Sequence, residues 1–258
     1  MRFDRFAPRR AAEFCLAALL PADCLLCGDP LPWRQRGSVC LPCWDRAPWS
    51  PGLRPRTDAL RAVLWGADYN GSIRDLIHAF KFGKVDYLGA PLGEHLALRI
   101  APLLGTAIPR PDFIVPVPLH WWRSMRRGFN QAHLLAAAVA GVTGFPLRPR
   151  LLVRCRAGRR QLGSSRHQRL RSLDACFKVP RGLRGRRSHT EIEGRRILLV
   201  DDVMTTGATL LACARTLRRA GARSVVGCVL ARTPGGHGVA GDHGAAGDRS
   251  AAPYHAET

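Results

Sequence analysis

The segment Ile197-Leu198-Leu199-Val200-Asp201-Asp202-Val203-Met204-Thr205-Thr206-Gly207-Ala208-Thr209 constrains this chain more than any other. Its first four residues are apolar and read as a central, buried strand. Two carboxylates follow at the C-terminal end of that strand, where open α/β sheets place their ligands. Thr205, Thr206 and Thr209 then offer hydroxyl donors, and Gly207 lets the backbone approach a ligand closely. The turn opens into a helix whose free N–H groups attract an anion. Paired carboxylates accept hydrogen bonds from sugar hydroxyls, and negative charge beside an anomeric carbon favours an oxocarbenium-like transition state. A site for a sugar thus lies next to a cradle for its phosphate. Apolar strands ending in acids also carry the magnesium of P-loop ATPases, but the chain has no G-x-x-x-x-G-K-[ST] loop. A buried strand with an acidic end explains any one of these features alone and not their combination.

Around this segment, strand and helix signals alternate, which predicts an α/β fold with a mainly parallel sheet flanked by helices. Leu60 to Tyr69 reads as a strand stopped by the Asn70-Gly71 turn, and Ser72 opens a helix with Ile73, Leu76, Ile77 and Phe80 on one face. Further helices are expected from Gly89 to Leu103, Asn130 to Val142 and Thr209 to Ala220, the last ended by Gly221. Asp112 to Val117, Ile197 to Val200 and Ser224 to Leu230 read as buried strands. Composition shifts divide the 258 residues into a Cys- and Pro-rich head (1–56), the α/β body (57–233) and a Gly-, Ala- and His-rich tail (234–258) that is expected to be disordered. Met1 to Leu20 loosely imitates a secretory signal, but its apolar run is short, and a short amphipathic helix is expected there instead. No stretch approaches the roughly 18–20 apolar residues of a membrane span, so a soluble, cytoplasmic protein is expected.

The head holds Cys24-x2-Cys27 and Cys40-x2-Cys43, two knuckles with the spacing of a four-thiolate zinc site. Zinc would close a head too small to stabilise itself by apolar burial, and four protein ligands leave no open position for water, so the site is read as structural. A redox pair or a disulfide is the competing reading. The remaining five of nine cysteines fall singly, which suits a reducing compartment.

The formal charge of +21 arises from 40 Lys and Arg against 19 Asp and Glu, and between Phe113 and Thr190 Asp174 is the only acid. Such a field points to phosphates, nucleic acid or an acidic membrane surface as partners. After Pro116-Val117-Pro118-Leu119 come Trp121, Trp122, Arg126 and Arg127. This basic, aromatic loop suits closure over pyrophosphate, with Arg126 and Arg127 neutralising the leaving group. It equally suits stacking on single-stranded DNA bases, or two tryptophans packed under a surface loop. Arg154, Arg156, Arg159, Arg160, Arg166, Arg169 and Arg171 extend the basic surface as a phosphate-attracting stripe. Lys81 reads as a solvated lysine that could also reach the ligand. The histidines form no nucleophile, base and orienting acid set.

Asp201 to Thr209 resembles the ribose-phosphate fingerprint of the phosphoribosyltransferases. With the four-cysteine head, Phe80-Lys81-Phe82-Gly83, Val115 to Leu119, Arg127-Gly128-Phe129-Asn130-Gln131-Ala132 and Gln161 to Arg169, the chain resembles the ComF family of competence-associated proteins. The resemblance implies a phosphoribosyltransferase-type fold, binding of a 5-phosphoribosyl pyrophosphate-like ligand with magnesium, and a role in uptake of transforming DNA. It implies that Asp201 and Asp202 are catalytic, holding the ribose hydroxyls, and that Asp201, Asp202, Val203, Met204, Thr205, Thr206, Gly207, Ala208 and Thr209, with Arg126 and Arg127, bind ribose phosphate and pyrophosphate. Cys24, Cys27, Cys40 and Cys43 would bind Zn²⁺. Ser172 stands where an asparagine is usual, Gln168 replaces a common glutamate, and residues 181–195 and the tail look like additions. The alternative expectation is a non-catalytic module that binds single-stranded DNA and assists its import with a helicase partner. A ligand-responsive regulator on the same fold is a third.

Overall fold

The computed structural model describes residues 23–31, 38–55, 59–83, 85–119, 128–155, 175–180 and 191–234. A five-stranded sheet organises them. Its strands are β1 (Trp49–Pro55), β2 (Ala62–Asp68), β3 (Phe113–Pro116), β6 (Arg196–Met204) and β7 (Ser224–Arg232), in the order β1-β2-β7-β6-β3. β2 with β7, β7 with β6 and β6 with β3 run parallel, and β1 pairs antiparallel with β2. A separate two-stranded antiparallel ribbon joins β4 (Val153–Arg154) to β5 (Phe177–Lys178). The alternating reading therefore gives the correct sheet class.

Helices cover both faces. On one face lie α2 (Gly71–Phe82), α3 (Gly89–Ile100) and α4 (Gln131–Thr143), and on the other lies α5 (Ala208–Arg219). The pleat of β6 divides its side chains between two cores: Leu198 and Val200 join the first, Ile197 and Leu199 the second. In α2 the buried residues are Ile73, Leu76, Ile77 and Phe80, the i, i+3, i+4, i+7 stripe predicted from the sequence. α3 and α4 pack closely because α3 offers glycines at the contact. A Cβ at Gly93 would lie 2.5 Å from that of Ala138, and one at Gly89 would lie 2.6 Å from that of Leu134.

The structure departs from the sequence reading at three places. β6 does not stop at Val200 but continues to Met204, so both carboxylates belong to the strand. Residues 49–55, assigned by composition to the head, form the edge strand of the main sheet, with a register shift between Trp49 and Gly52. The β4–β5 ribbon was not foreseen. The short helix α1 (Leu41–Arg46) follows the second cysteine knuckle, and its Trp44 packs with Cys24 and Val39 into the first core. Among the described residues no helix is long and apolar enough to cross a membrane.

Candidate functional site

A pocket of about 190 Å³ opens at the C-terminal ends of β3 and β6. Asp201, Asp202 and Val203 line it from β6, and Val117, Pro118 and Leu119 from the chain leaving β3. Asn130, Gln131 and Ala132 contribute from the start of α4, Lys81 from the last turn of α2, Arg154 from β4 and Thr209 from the first turn of α5. Asn130 fixes one wall. Its Oδ1 accepts the Ala132 N–H at 3.1 Å, capping α4, while its Nδ2 donates to the Val117 carbonyl at 3.2 Å.

The two carboxylates are held differently. The Asp202 N–H donates to Asp201 Oδ1 at 2.9 Å, and the Val203 N–H donates to Asp202 Oδ1 at 2.5 Å. Lys81 Nζ lies 3.0 Å from Asp202 Oδ1, with both side chains largely buried. Lys81 is thus an ion-pair partner inside the site, which corrects its reading as a solvated lysine. Burial, with the Asp202 charge beside it, pushes the Asp201 carboxyl up to about 8, against the opposing pull of the Asp202 N–H, Lys81 and Arg154. The pocket therefore holds a carboxyl whose charge calls for a cation or a hydrogen-bond donor from a ligand.

Beyond the strand, Thr205 and Thr206 are exposed and Gly207, with φ of 75°, turns the chain into α5; of the expected cradle 205–209, Thr209 lines the pocket and Thr205 to Ala208 do not. That left-handed conformation favours glycine and leaves the first N–H groups of α5 facing the turn. Thr206 Oγ1 accepts the Ala208 N–H at 3.4 Å. Met204 does not reach the pocket; its side chain is buried in the second core. Arg126, Arg127, Trp121, Trp122 and residues 156–174 lie outside the described residues. The sequence reading placed Arg154 on a surface stripe. In the structure it lines the pocket with its guanidinium 5.3 Å from the Phe177 ring, and its buried Nε has no hydrogen-bond partner among the described residues. An arginine within the apolar run Leu151-Leu152-Val153 was the only signal for it.

The head brings Cys24, Cys27, Cys40 and Cys43 together, with all four sulphurs within 4.8 Å of one another. Cys27 and Cys40 Sγ are 3.7 Å apart, close to the roughly 3.8 Å edge of a tetrahedron with metal–sulphur bonds of about 2.3 Å. The cluster can hold a metal ion. Burial raises the Cys24 thiol, but backbone N–H groups of Cys27, Cys40 and Leu26 aimed at its sulphur outweigh this and bring it down to about 6. A thiol so tuned is ready to ligate as thiolate. The eight described cysteines are free of disulfides.

Comparison with known proteins agrees with this geometry. Residues 157–242 match the family model of the phosphoribosyl transferase domain. The DNA utilization protein YhgH of Salmonella typhi is 32% identical over 232 residues, covering 83% of this chain and 98% of that protein. Competence protein F of Haemophilus influenzae is 33% identical over 81% of this chain and 84% of its own length. Competence protein ComFC of Bacillus subtilis is 31% identical over 81% of this chain and 78% of its own. A solved B. subtilis glutamine phosphoribosylpyrophosphate amidotransferase aligns with 55% of this chain and 26% of that one, at 23% identity and a TM-score of 0.36.

Proposed function

The chain belongs to the ComF family of competence-associated, phosphoribosyltransferase-like proteins, and from that premise we propose that its pocket binds 5-phosphoribosyl pyrophosphate and serves phosphoribosyl transfer in the handling of DNA taken up by the cell. The observation that carries this is the Asp201–Asp202 pair, steadied by Lys81, together with Thr209 of the first turn of α5 in one pocket. Each half of the site suits one half of the ligand.

Asp201 and Asp202 accept hydrogen bonds from the ribose hydroxyls and stabilise positive charge developing at the anomeric carbon. Thr205, Thr206 and Thr209 with the N–H groups of Gly207 and Ala208 grip the 5-phosphate. Arg154 reaches toward the pyrophosphate, which supplies the acceptor its Nε lacks, and Arg126 and Arg127, which precede α4 in the sequence, would add further guanidinium groups. Hard carboxylate oxygens fit magnesium, which would neutralise the pyrophosphate when bound. The cysteine cluster fits structural zinc, whose fourfold thiolate shell it would complete. The division into head, body and tail, with 49–55 counted to the body's sheet, and a cytoplasmic location belong to the same proposal.

Calorimetric titration of magnesium and phosphoribosyl pyrophosphate into the purified protein tests the reading, with Asp201→Asn/Asp202→Asn as control. Binding lost in the double variant supports it; no binding by the folded wild type sinks it. The excess of arginine favours a second reading, a non-catalytic single-stranded DNA module working with a helicase partner. That reading expects steeply salt-dependent DNA affinity without turnover of the phosphoribosyl donor.

A further inference from the structure

The ligand pocket occupies one end of the sheet. At the other end, roughly 20 Å away along β6, the parallel strands begin, and arginines stand there. Arg61 N–H donates to the Val225 carbonyl, Arg223 N–H to the Arg195 carbonyl and Asp112 N–H to the Arg196 carbonyl, each at 2.8 Å. These bonds fix Arg61, Arg223 and Arg195 in strand order at the starts of β2, β7 and β6, about 4.8 Å between neighbouring strands. Arg110, one residue out of step with Arg195 in the β3–β6 register and stacked over Phe145 on the first-core face, stands apart from the row. Arg61, Arg195 and Arg223 are exposed.

Acids at this end are mostly committed elsewhere. Asp112 pairs with Arg196 at 3.1 Å and Glu191 with Arg148 at 2.9 Å, while Glu193 is exposed and enters no ion pair among the described residues. Among the described residues no acid forms an ion pair with Arg61, Arg110, Arg195 or Arg223. Adjacent guanidinium groups repel one another, and Asp112, which feels the charge of Arg195 but is hydrogen-bonded to Arg196, offsets this only in part; an extended anion lying along the row removes it. A single phosphate is too short for this, because the row crosses three strands.

We propose that this arginine row, at the end of the sheet opposite the pocket, binds the phosphate backbone of a nucleic acid. It rests on the DNA-handling half of the function proposed above and gives that half a surface of its own. Guanidinium forks match phosphate oxygens. Contacts of this kind go to phosphates and carry no sequence information.

The test is fluorescence anisotropy of a labelled oligothymidine with the full chain over a range of salt. Arg61→Ser/Arg195→Ser/Arg223→Ser is compared with Arg46→Ser/Arg54→Ser/Arg74→Ser, which removes the same charge from the region of α1, β1 and α2. The first triple is expected to weaken binding about tenfold or more and to flatten the log–log salt slope by about 2, as the loss of three phosphate contacts on a single strand requires. The control triple should change the slope by much less, and lysine at Arg61, Arg195 and Arg223 should keep most of it. Phosphoribosyl pyrophosphate titration should be unchanged in all variants. Equal losses in the two serine triples overturn the surface while leaving the pocket reading intact. A wild type that binds no oligonucleotide at low salt overturns both the surface and the DNA-handling half, and binding of an acidic protein in its place would do the same.

Discussion

Asp201 is placed where its charge is expensive: burial and the neighbouring Asp202 both oppose ionisation, and the Lys81 ammonium is spent on Asp202. Its carboxyl titrates higher in the folded chain than in the unfolded one, so folding retains a proton that the unfolded chain releases. The contribution is favourable below the unfolded value near 4 and is lost as pH rises toward the folded value of about 8. Asp201→Asn, which carries no charge, should therefore raise the melting temperature of the ligand-free protein at pH 8 by about 2–4 °C, the shift expected for about 1 kcal/mol in a chain of this size. The gain should vanish near pH 4 in melts followed by circular dichroism, and an equal gain at both pH values would refute the strained pair. Arg154 gives the opposite case. With no partner for its Nε, Arg154→Met should leave stability within about 1 kcal/mol but weaken phosphoribosyl pyrophosphate about 10- to 100-fold, as loss of a charged hydrogen bond does. Asp201 and Asp202 were legible because a strand followed by two acids is a local pattern. Lys81 and Arg154 were not, because their roles depend on which distant strand end α2 and β4 are brought to.

At the scale of elements, the site depends on how closely α3 and α4 approach, since α4 begins with the Asn130 to Ala132 wall of the pocket. Gly93→Ala would place a methyl group 2.9 Å from the Leu135 carbonyl and closer still to Ala138. Backbone cannot yield as a side-chain end does, so the helices must part, at a cost of about 1–3 kcal/mol. Chemical denaturation should show that loss together with weaker ligand binding, whereas Gly141→Ala, on the open side of α4 where nothing lies within 4 Å of the added Cβ, should show neither. The helices were legible by their apolar period, and their close contact was not. β1 escaped reading because Pro51 and Gly52 break the strand pattern and its register shifts there. β4 and β5 escaped because two residues are too few to display a period.

Across the whole molecule, the cysteine head and the α/β body share one core. Cys24, Val39 and Trp44 pack in the cluster that contains Leu96 and Ile100 of α3. Over it, His95 stacks on Trp44 at 4.5 Å and on Trp49 at 5.2 Å, and the Arg99 guanidinium lies 4.1 Å from the Trp49 ring. Burial, with Arg99 close by, holds the His95 imidazole below its ordinary range, so the neutral ring is the one that stacks. A metal held by the four cysteines would therefore stabilise more than the head. The cysteine spacing made the cluster legible, but nothing local in Trp44 or His95 announced that the head would be welded to α3. Removing the metal by chelation, or disrupting its shell with Cys24→Ser/Cys40→Ser, should lower the midpoint of a single unfolding transition for the whole described body, because the folding free energy supplied by the metal–thiolate bonds is then lost from a shared core. Trp44→Ala should separate the two parts: the core loses a large side chain at the seam, at about 3–5 kcal/mol, and chelation should then release the head while α2 to α5 melt at a midpoint that no longer follows the metal. Circular dichroism of the helices, recorded beside metal release to a colorimetric chelator, distinguishes these cases. Coincident transitions in the wild type and divergent ones in Trp44→Ala would establish the seam as the route by which a metal stabilises the α/β body, and divergent transitions in the wild type would show that the head stands apart.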